Sequence, residues 1–307
     1  MAELQETFGV GGGVGIGVDD DARRARRGPR RPGGARGAFG ILFAPVTLLL
    51  VLFLVPFLIM VQMSVVKFPP RTDSGYTLDH YVEVLTNPLN VTIAWTTFTI
   101  ATTAMIAMLL VAIPLAYFMV FKAHRWELPL LLALVLADEL APVVKVYAWQ
   151  VILGRNGILN WLIPGPPVEW LLYSQFAVIL TLSTTYITYT TIPIYAAMKA
   201  IEPATFEAAT DLGAGWWQQA RKILIPLAAP GIFVAMILVY IPMLTDFVTS
   251  DIVGGTGSYM MGQRVRDLIL GEGNWGTGSA LNFLLLAMSV LLSLGAYRLA
   301  RLNRIES

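Results

Sequence analysis

Cysteine is absent from the 307 residues, histidine occurs twice, and charged residues make up only 13%. Each shortage excludes something. Without cysteine there is no disulfide framework, no thiolate nucleophile and no thiolate-bound metal. His80 and His124 are too few and too far apart in sequence to suggest a metal cluster. A charged share near half the roughly 25% of a soluble domain cannot cover a water-facing surface, which removes the soluble enzyme. The 21 Lys and Arg nearly cancel the 20 Asp and Glu, so the net charge of +1 gives no footing for nucleic acid. No Gly-Lys pair occurs, and with it goes any Gly-x-x-x-x-Gly-Lys-Ser/Thr loop that could cradle nucleotide phosphates.

What is present is apolar: 56% of the residues are hydrophobic. A helix needs about 20 largely apolar residues to cross a bilayer. Five runs free of Asp, Glu, Lys and Arg reach that length: Gly37–Val66, Val84–Phe121, Trp170–Met198, Ile223–Thr245 and Gly273–Tyr297. A sixth stretch, Leu128–Leu153, is interrupted by Asp138, Glu139 and Lys145. The pattern predicts an all-α protein of six transmembrane helices, and no alternation of barrel type competes with it. With the N-terminus inside, fifteen of the basic residues fall on the cytoplasmic side, seven of them arginines of the tail, and six fall outside. Both termini are therefore expected in the cytoplasm.

Residues 1–36 differ from the rest. Gly9–Gly17 is glycine-rich, Asp19–Asp21 acidic, and Arg23–Arg36 basic with Pro and Gly. Such a segment cannot bury enough apolar surface to fold, so a disordered cytoplasmic tail is expected, its arginines near anionic lipid, with the transmembrane domain occupying 37–307.

The connection 201–226, between the fourth and fifth spans, is not an ordinary polar loop. Pro203 suits a first helical turn, Phe206, Ala209 and Leu212 fall at helical spacing on one face, and Gly213 supplies a stop. A second short helix is expected over Trp216–Leu224 before Pro226 opens the next span. Small Ala208 and Ala209 leave room for a partner to approach, and Glu207 offers an acceptor.

Glu207-Ala208-Ala209, then Gly213, then Ile223, Ile225 and Pro226 resembles the EAA signature of ABC importer permeases, with Ile225-Pro226 where the family usually has Leu-Pro. Outside the loop, Lys145-Val146-Tyr147-Ala148-Trp149, Leu153–Asn160, Pro193–Ala197 and Asp246-Phe247-Val248-Thr249 are similar to the spermidine/putrescine branch of type I importer permeases. The resemblance implies the type I fold in a bacterial inner membrane, with a coupling helix in which Glu207, Ala208, Ala209, Asp211 and Gly213 meet a separate ATPase. It implies no cofactor in this chain, ATP and Mg being held by an ATPase dimer. It also implies a second homologous permease, with a heterodimer favoured, and an extracytoplasmic solute-binding protein. The chain is then a permease and not an enzyme. The cargo the resemblance implies is a small, cationic solute such as a polyamine, with opines, aminophosphonates, iron or thiamine as alternatives within the same architecture.

Ionisable residues at membrane depth line pathways or pair with one another. Asp138 and Lys145 are seven apart and would share a helix face, with Glu139 beside it. They form either an acidic lining for a cationic cargo or an internal ion pair. Asp246 either contacts cargo or caps the gate segment Thr249–Ser258. Tyr186, Tyr189 and Trp149 offer aromatic walls for a cation, or packing. A secondary transporter would need coupling-ion sites and often shows inverted repeats, of which there is no sign here. An intramembrane enzyme would need a nucleophile–base pair or metal ligands within the spans, and neither histidine lies in one.

Overall fold

The computed structural model describes residues 35–162 and 164–302. The expectations for the tail, apart from Ala35 and Arg36, lie outside the described residues. Residues up to Ile59 and residues from Met60 onward form two separate compact units.

The first unit contributes most of α1 (Ala35–Val65). From Pro45 to Ile59 every described side chain is exposed, although nearly all are apolar. A helix apolar on all sides is suited to lipid.

The second unit opens with a hairpin, β1 (Val66–Phe68) against β2 (Arg71–Tyr76), then α2 (Asp79–Thr86). The long α3 (Pro88–Phe121) starts where Pro88 needs no N–H partner and the Asn87 side chain accepts from the Leu89 amide at 3.0 Å. Its buried face is Ile93, Thr97, Ile100, Ala104 and Met108, while Trp95, Ile106 and Leu110 stay exposed. Small and hydroxylated residues inside, large apolar ones outside, is the arrangement of helices packed in lipid.

The third predicted span is not one helix. It is two twelve-residue pieces, α4 (Glu127–Asp138) and α5 (Pro142–Leu153). Pro142 has no N–H to return to the Asp138 carbonyl and drives Ala141 into extended backbone (φ −51°, ψ 135°), so the helix must restart. The fourth span also breaks, into α7 (Gln175–Thr185) and α8 (Ile187–Lys199), separated from α5 by the short α6 (Ile158–Leu162) and bent by 47° at Tyr186. No proline stands at this bend. Ser183 and Thr184 turn their hydroxyls back onto the Ile179, Leu180 and Thr181 carbonyls, which loosens helical bonding there.

After α9 (Pro203–Asp211) and α10 (Trp216–Gln219), a π-helical turn at Ala220–Leu224 runs without a break into α11 (Ile225–Thr245). The separate second helix expected over Trp216–Leu224 is thus the first part of the fifth span, a continuous apolar helix from Trp216 to Thr245. Beyond it lie α12 (Val248–Val253), α13 (Met261–Arg266) and α14 (Trp275–Leu302). Among the described residues four helices are long and apolar enough to span, and the bent α7–α8 pair makes a fifth.

The core is three clusters along the second unit. Ile194, Met198, Ile201, Leu224 and Ala228 pack at the α9 end. Met105, Met108, Leu182, Met243 and Met260 fill the middle. Val84, Ile93, Leu268 and Leu281 close the end that holds α2. Helices α8 and α11 cross closely at Gly231, where an added Cβ would lie 2.4 Å from Ala197 Cβ and 2.5 Å from the Pro193 carbonyl oxygen.

Candidate functional site

Two regions carry the predicted site residues, one at the α9 hairpin and one where the helices break.

At the hairpin, Gly213 has φ +80°. Its amide donates to the Thr210 carbonyl at 2.9 Å and that of Ala214 reaches back to Ala209 at 2.9 Å. The paired bonds and the left-handed residue make a Schellman stop, as Gly213 in the sequence implied. Gln219 then ties the two arms, donating to Thr210 Oγ1 at 2.9 Å and the Ala214 carbonyl at 2.8 Å. Phe206 holds the hairpin to α3, its ring 5.1 Å edge-on from Phe121, and Trp216 lies 6.4 Å from Tyr117. Such an aromatic pair adds about 0.5–1.5 kcal/mol beyond the area it buries. Glu207, Ala208 and Asp211 are exposed and Ala209 is half-buried. Leu212 corrects the sequence reading. It was placed on the Phe206 face, but it caps α9 with non-helical backbone and is 88% exposed. Trp217, 69% exposed, is another large apolar side chain that the hairpin leaves open.

In the second region, Pro142 at the restart of α5, Tyr186 at the bend of α7–α8 and Asp246 at the end of α11 line one cavity of about 270 Å³, with Val146, Thr245 and Phe247. Asp246 accepts from the Thr249 amide at 2.8 Å and hydroxyl at 3.0 Å, capping α12, and it also faces Tyr186. The Tyr186 and Tyr189 rings lie 6.4 Å apart, and Tyr189 faces Asp138. Asp138 is paired with Lys145 at 2.7 Å, both side chains about 15% exposed. That pair was expected on one helix; it in fact bridges the break between α4 and α5. Asp138, Tyr189, Tyr186 and Asp246 thus form one run of side chains, with exposed Glu139 beside Tyr189. Trp149 is not among them: it is half-buried against the middle core cluster.

Beyond this cavity is an ionic staple that sequence reading missed. Arg266 reaches Asp251 of α12 at 2.7 Å and Asp267 at 2.8 Å, and lies over the Phe247 ring. The Arg266 hydrogen bond holds the Asp251 carboxyl below the ordinary range against the opposing effect of desolvation, with help from Gln263. Tyr259, which donates to Asp267 at 2.5 Å, is pushed up to about 12, first by burial and then by that carboxylate. The only hint in the sequence was the placement of Asp251 and Asp267 on either side of Arg264 and Arg266 within seventeen residues.

A family model described as the binding-protein-dependent transport system inner membrane component matches residues 128–304, a stretch that takes in both regions. The chain belongs to that family. The permease is a multi-pass inner-membrane transport protein of the ABC importer class. It is 31% identical over 248 residues to the spermidine/putrescine transport system permease protein PotB of Haemophilus influenzae, covering 77% of this chain and 86% of that one. PotB of Escherichia coli is 28% identical over 246 residues, 77% and 89% of the two chains. PotC of H. influenzae matches an 81-residue segment at 32% identity, 26% of this chain and 32% of that one. Among solved structures, a bacterial ABC transporter for import of the acidic polysaccharide alginate has TM-score 0.70 at 20% identity, covering 86% of the permease and 96% of its own chain. The MetNI methionine transporter, in an inward-facing conformation, has TM-score 0.52 at 17% identity, covering 69% and 95%. These likenesses concern the fold. Alginate and methionine have unlike chemistry, so the fold alone does not select a cargo.

Proposed function

We propose that this permease forms part of the translocation pathway for a small cationic solute, a polyamine first of all, in an importer powered by a separate ATPase. The single observation that carries the reading is the meeting of two helix breaks and the end of α11 at one cavity lined by Asp246 and Tyr186. Broken helices at membrane depth are tolerated where they line a cavity, and ion-bearing side chains there are costly unless they serve the passage of solute. Around the cavity and along the adjoining run stand three carboxylates, Asp138, Glu139 and Asp246, against one ammonium, Lys145. The excess is acidic, and Tyr186 and Tyr189 add ring faces that attract cations. Similarity to PotB supports the same cargo class.

The α9 hairpin is the coupling loop in this reading, and Glu207, Ala208, Ala209, Asp211 and Gly213 its contact residues, with exposed Leu212 added. ATP and Mg belong to an ATPase pair docked there. A second, homologous permease completes the pathway, a heterodimer being favoured, and an extracytoplasmic binding protein delivers cargo. The hairpin and both termini lie in the cytoplasm, with the arginine-rich tail against the membrane; the Arg266 staple lies outside. Alternating access then follows from ATP and loaded receptor favouring different states.

The test is uptake of labelled putrescine and spermidine by the whole complex in vesicles, with Asp246→Asn compared. Asparagine keeps an acceptor for the Thr249 amide but loses the charge. A hydrogen bond to a charged group is worth about 1.5–3 kcal/mol, so half-saturation should rise roughly tenfold or more. ATP-driven uptake of an anionic solute in preference to either amine, or unchanged kinetics in the variant, refutes the reading.

A further inference from the structure

A side-chain cluster outside both regions joins α4 to α8. Glu127, the first residue of α4, accepts from the Tyr195 hydroxyl and from Lys199 Nζ, the latter at 2.5 Å. Tyr195 and Lys199 belong to α8, and Lys199 is its last residue, four positions before Pro203 opens the hairpin helix α9. Two further contacts join the same pair of helices. Midway, the Thr188 hydroxyl of α8 donates to the Leu134 carbonyl of α4 at 3.2 Å. At the far end Tyr189 of α8 faces Asp138 of α4.

These ties matter because α4 has little else to hold it. None of its twelve residues is buried. Its partner α8 is firmly seated, with Thr188, Thr190, Thr191, Ile194 and Met198 buried and Ala197 against Gly231. The Glu127–Lys199 pair is half-exposed on the lysine side, and such pairs add little to global stability. Its consequence is geometric: with Tyr195 it fixes the start of α4 to the end of α8. At 1.5 Å per residue, α4 then carries that point about 16 Å to Asp138.

We infer that Glu127 is a positioning residue that makes α4 and α8 one lever, so that movement of the coupling hairpin reaches Asp138 and Tyr189 without slippage between the two helices. The inference rests on the coupling role proposed above. In it, Glu127 touches neither cargo nor ATPase. It sets how much transport each ATP produces.

Two variants of the complete complex in lipid vesicles test this. Glu127→Gln can still accept from Tyr195 but loses the charge facing Lys199; cargo moved per ATP should fall at least threefold while ATPase association stays unchanged. The native chain has no cysteine, so Glu127→Cys with Lys199→Cys places the only permease thiols in this clamp, once the partners are stripped of accessible cysteines. Untreated, the pair should show the same loss. Joining it with a short bifunctional thiol reagent should restore the ratio to within twofold of wild type, since the two helices are held to move together. An unchanged ratio in Glu127→Gln, or transport stopped by the cross-link, overturns the lever. Failure of the wild-type hairpin to bind the ATPase overturns the coupling reading instead, and is scored separately by association.

Discussion

Replacing Gly213 by alanine separates backbone conformation from packing at the α9 hairpin, the coupling loop of the proposal above. The residue has φ +80°, and a Cβ built there meets nothing within 4 Å. Crowding therefore contributes nothing, and the whole effect comes from holding an L-residue in the left-handed region, about 1–2 kcal/mol. That corresponds to roughly a 5- to 30-fold change in an equilibrium. Loss of the turn would release the Gly213 bond to Thr210 and the Ala214 bond to Ala209, and with them the direction in which the chain leaves α9. Affinity of the purified ATPase for the permease complex in nanodiscs is the direct assay. Gly213→Ala should weaken it 5- to 30-fold. Gly213→Asn should stay within about threefold of wild type, because asparagine visits this region readily. Alanine binding as well as glycine, or asparagine as poorly as alanine, would show that positive φ is not what the loop requires.

Other expectations concern packing, docking and pH. Gly231→Ala forces α8 and α11 apart and should cost about 1–3 kcal/mol in the thermal stability of the permease, whereas Gly257→Ala, with open space at its Cβ, should be neutral in the same melt. Glu207→Lys should abolish ATPase association and transport while membrane insertion, followed by fractionation, persists; normal transport would remove the residue from the docking surface. The Arg266 staple depends on ionised Asp251, whose carboxyl lies below its unfolded value of about 3.9. A depressed acid stabilises fully above the unfolded value and ceases to do so as pH falls through the folded one. Hydrogen exchange of α12 should hence be flat from pH 8 to about 5, after correction for intrinsic rates, and quicken only below about 4. Arg266→Met should quicken it at every pH in that range.

The long apolar helices and the α9 hairpin were legible because each is local: a charge-free run of sufficient length, a proline at a first turn, a glycine where the chain must turn left. The breaks were harder. Pro142 was visible, yet nothing in its neighbourhood said that the bend at Tyr186 would meet it, since that bend arises from back-bonded hydroxyls and not from proline. The packed face of α3 was illegible for a different reason. In lipid the large residues Trp95 and Leu110 face outward and Ala104 inward, so apolar periodicity does not distinguish core from exterior. Leu212 was misplaced because helical spacing was extended one residue past the end of α9, onto its cap. The spacing of Asp138 and Lys145 left an acidic lining and an internal ion pair both open; the two side chains do pair, but across a helix break and not along one helix. Glu127 and Lys199 lie 72 positions apart, beyond the reach of any spacing rule.

The π-helical turn at Ala220–Leu224 has a consequence for how the permease can change. The Ile225 amide reaches back five residues to Ala220, just ahead of Pro226. Such a turn amounts to one residue more than a regular helix would hold, and one residue is about 100° of rotation around the axis. Trp216 and Gln219 therefore point where they do by virtue of a phase offset stored in a single turn. Shortening the stretch by one position would leave the helix intact and the membrane half undisturbed, but would aim the indole and the amide at different neighbours. Hairpin orientation could thus drift between relatives by the gain or loss of one residue, without any change in the sequence of the hairpin itself.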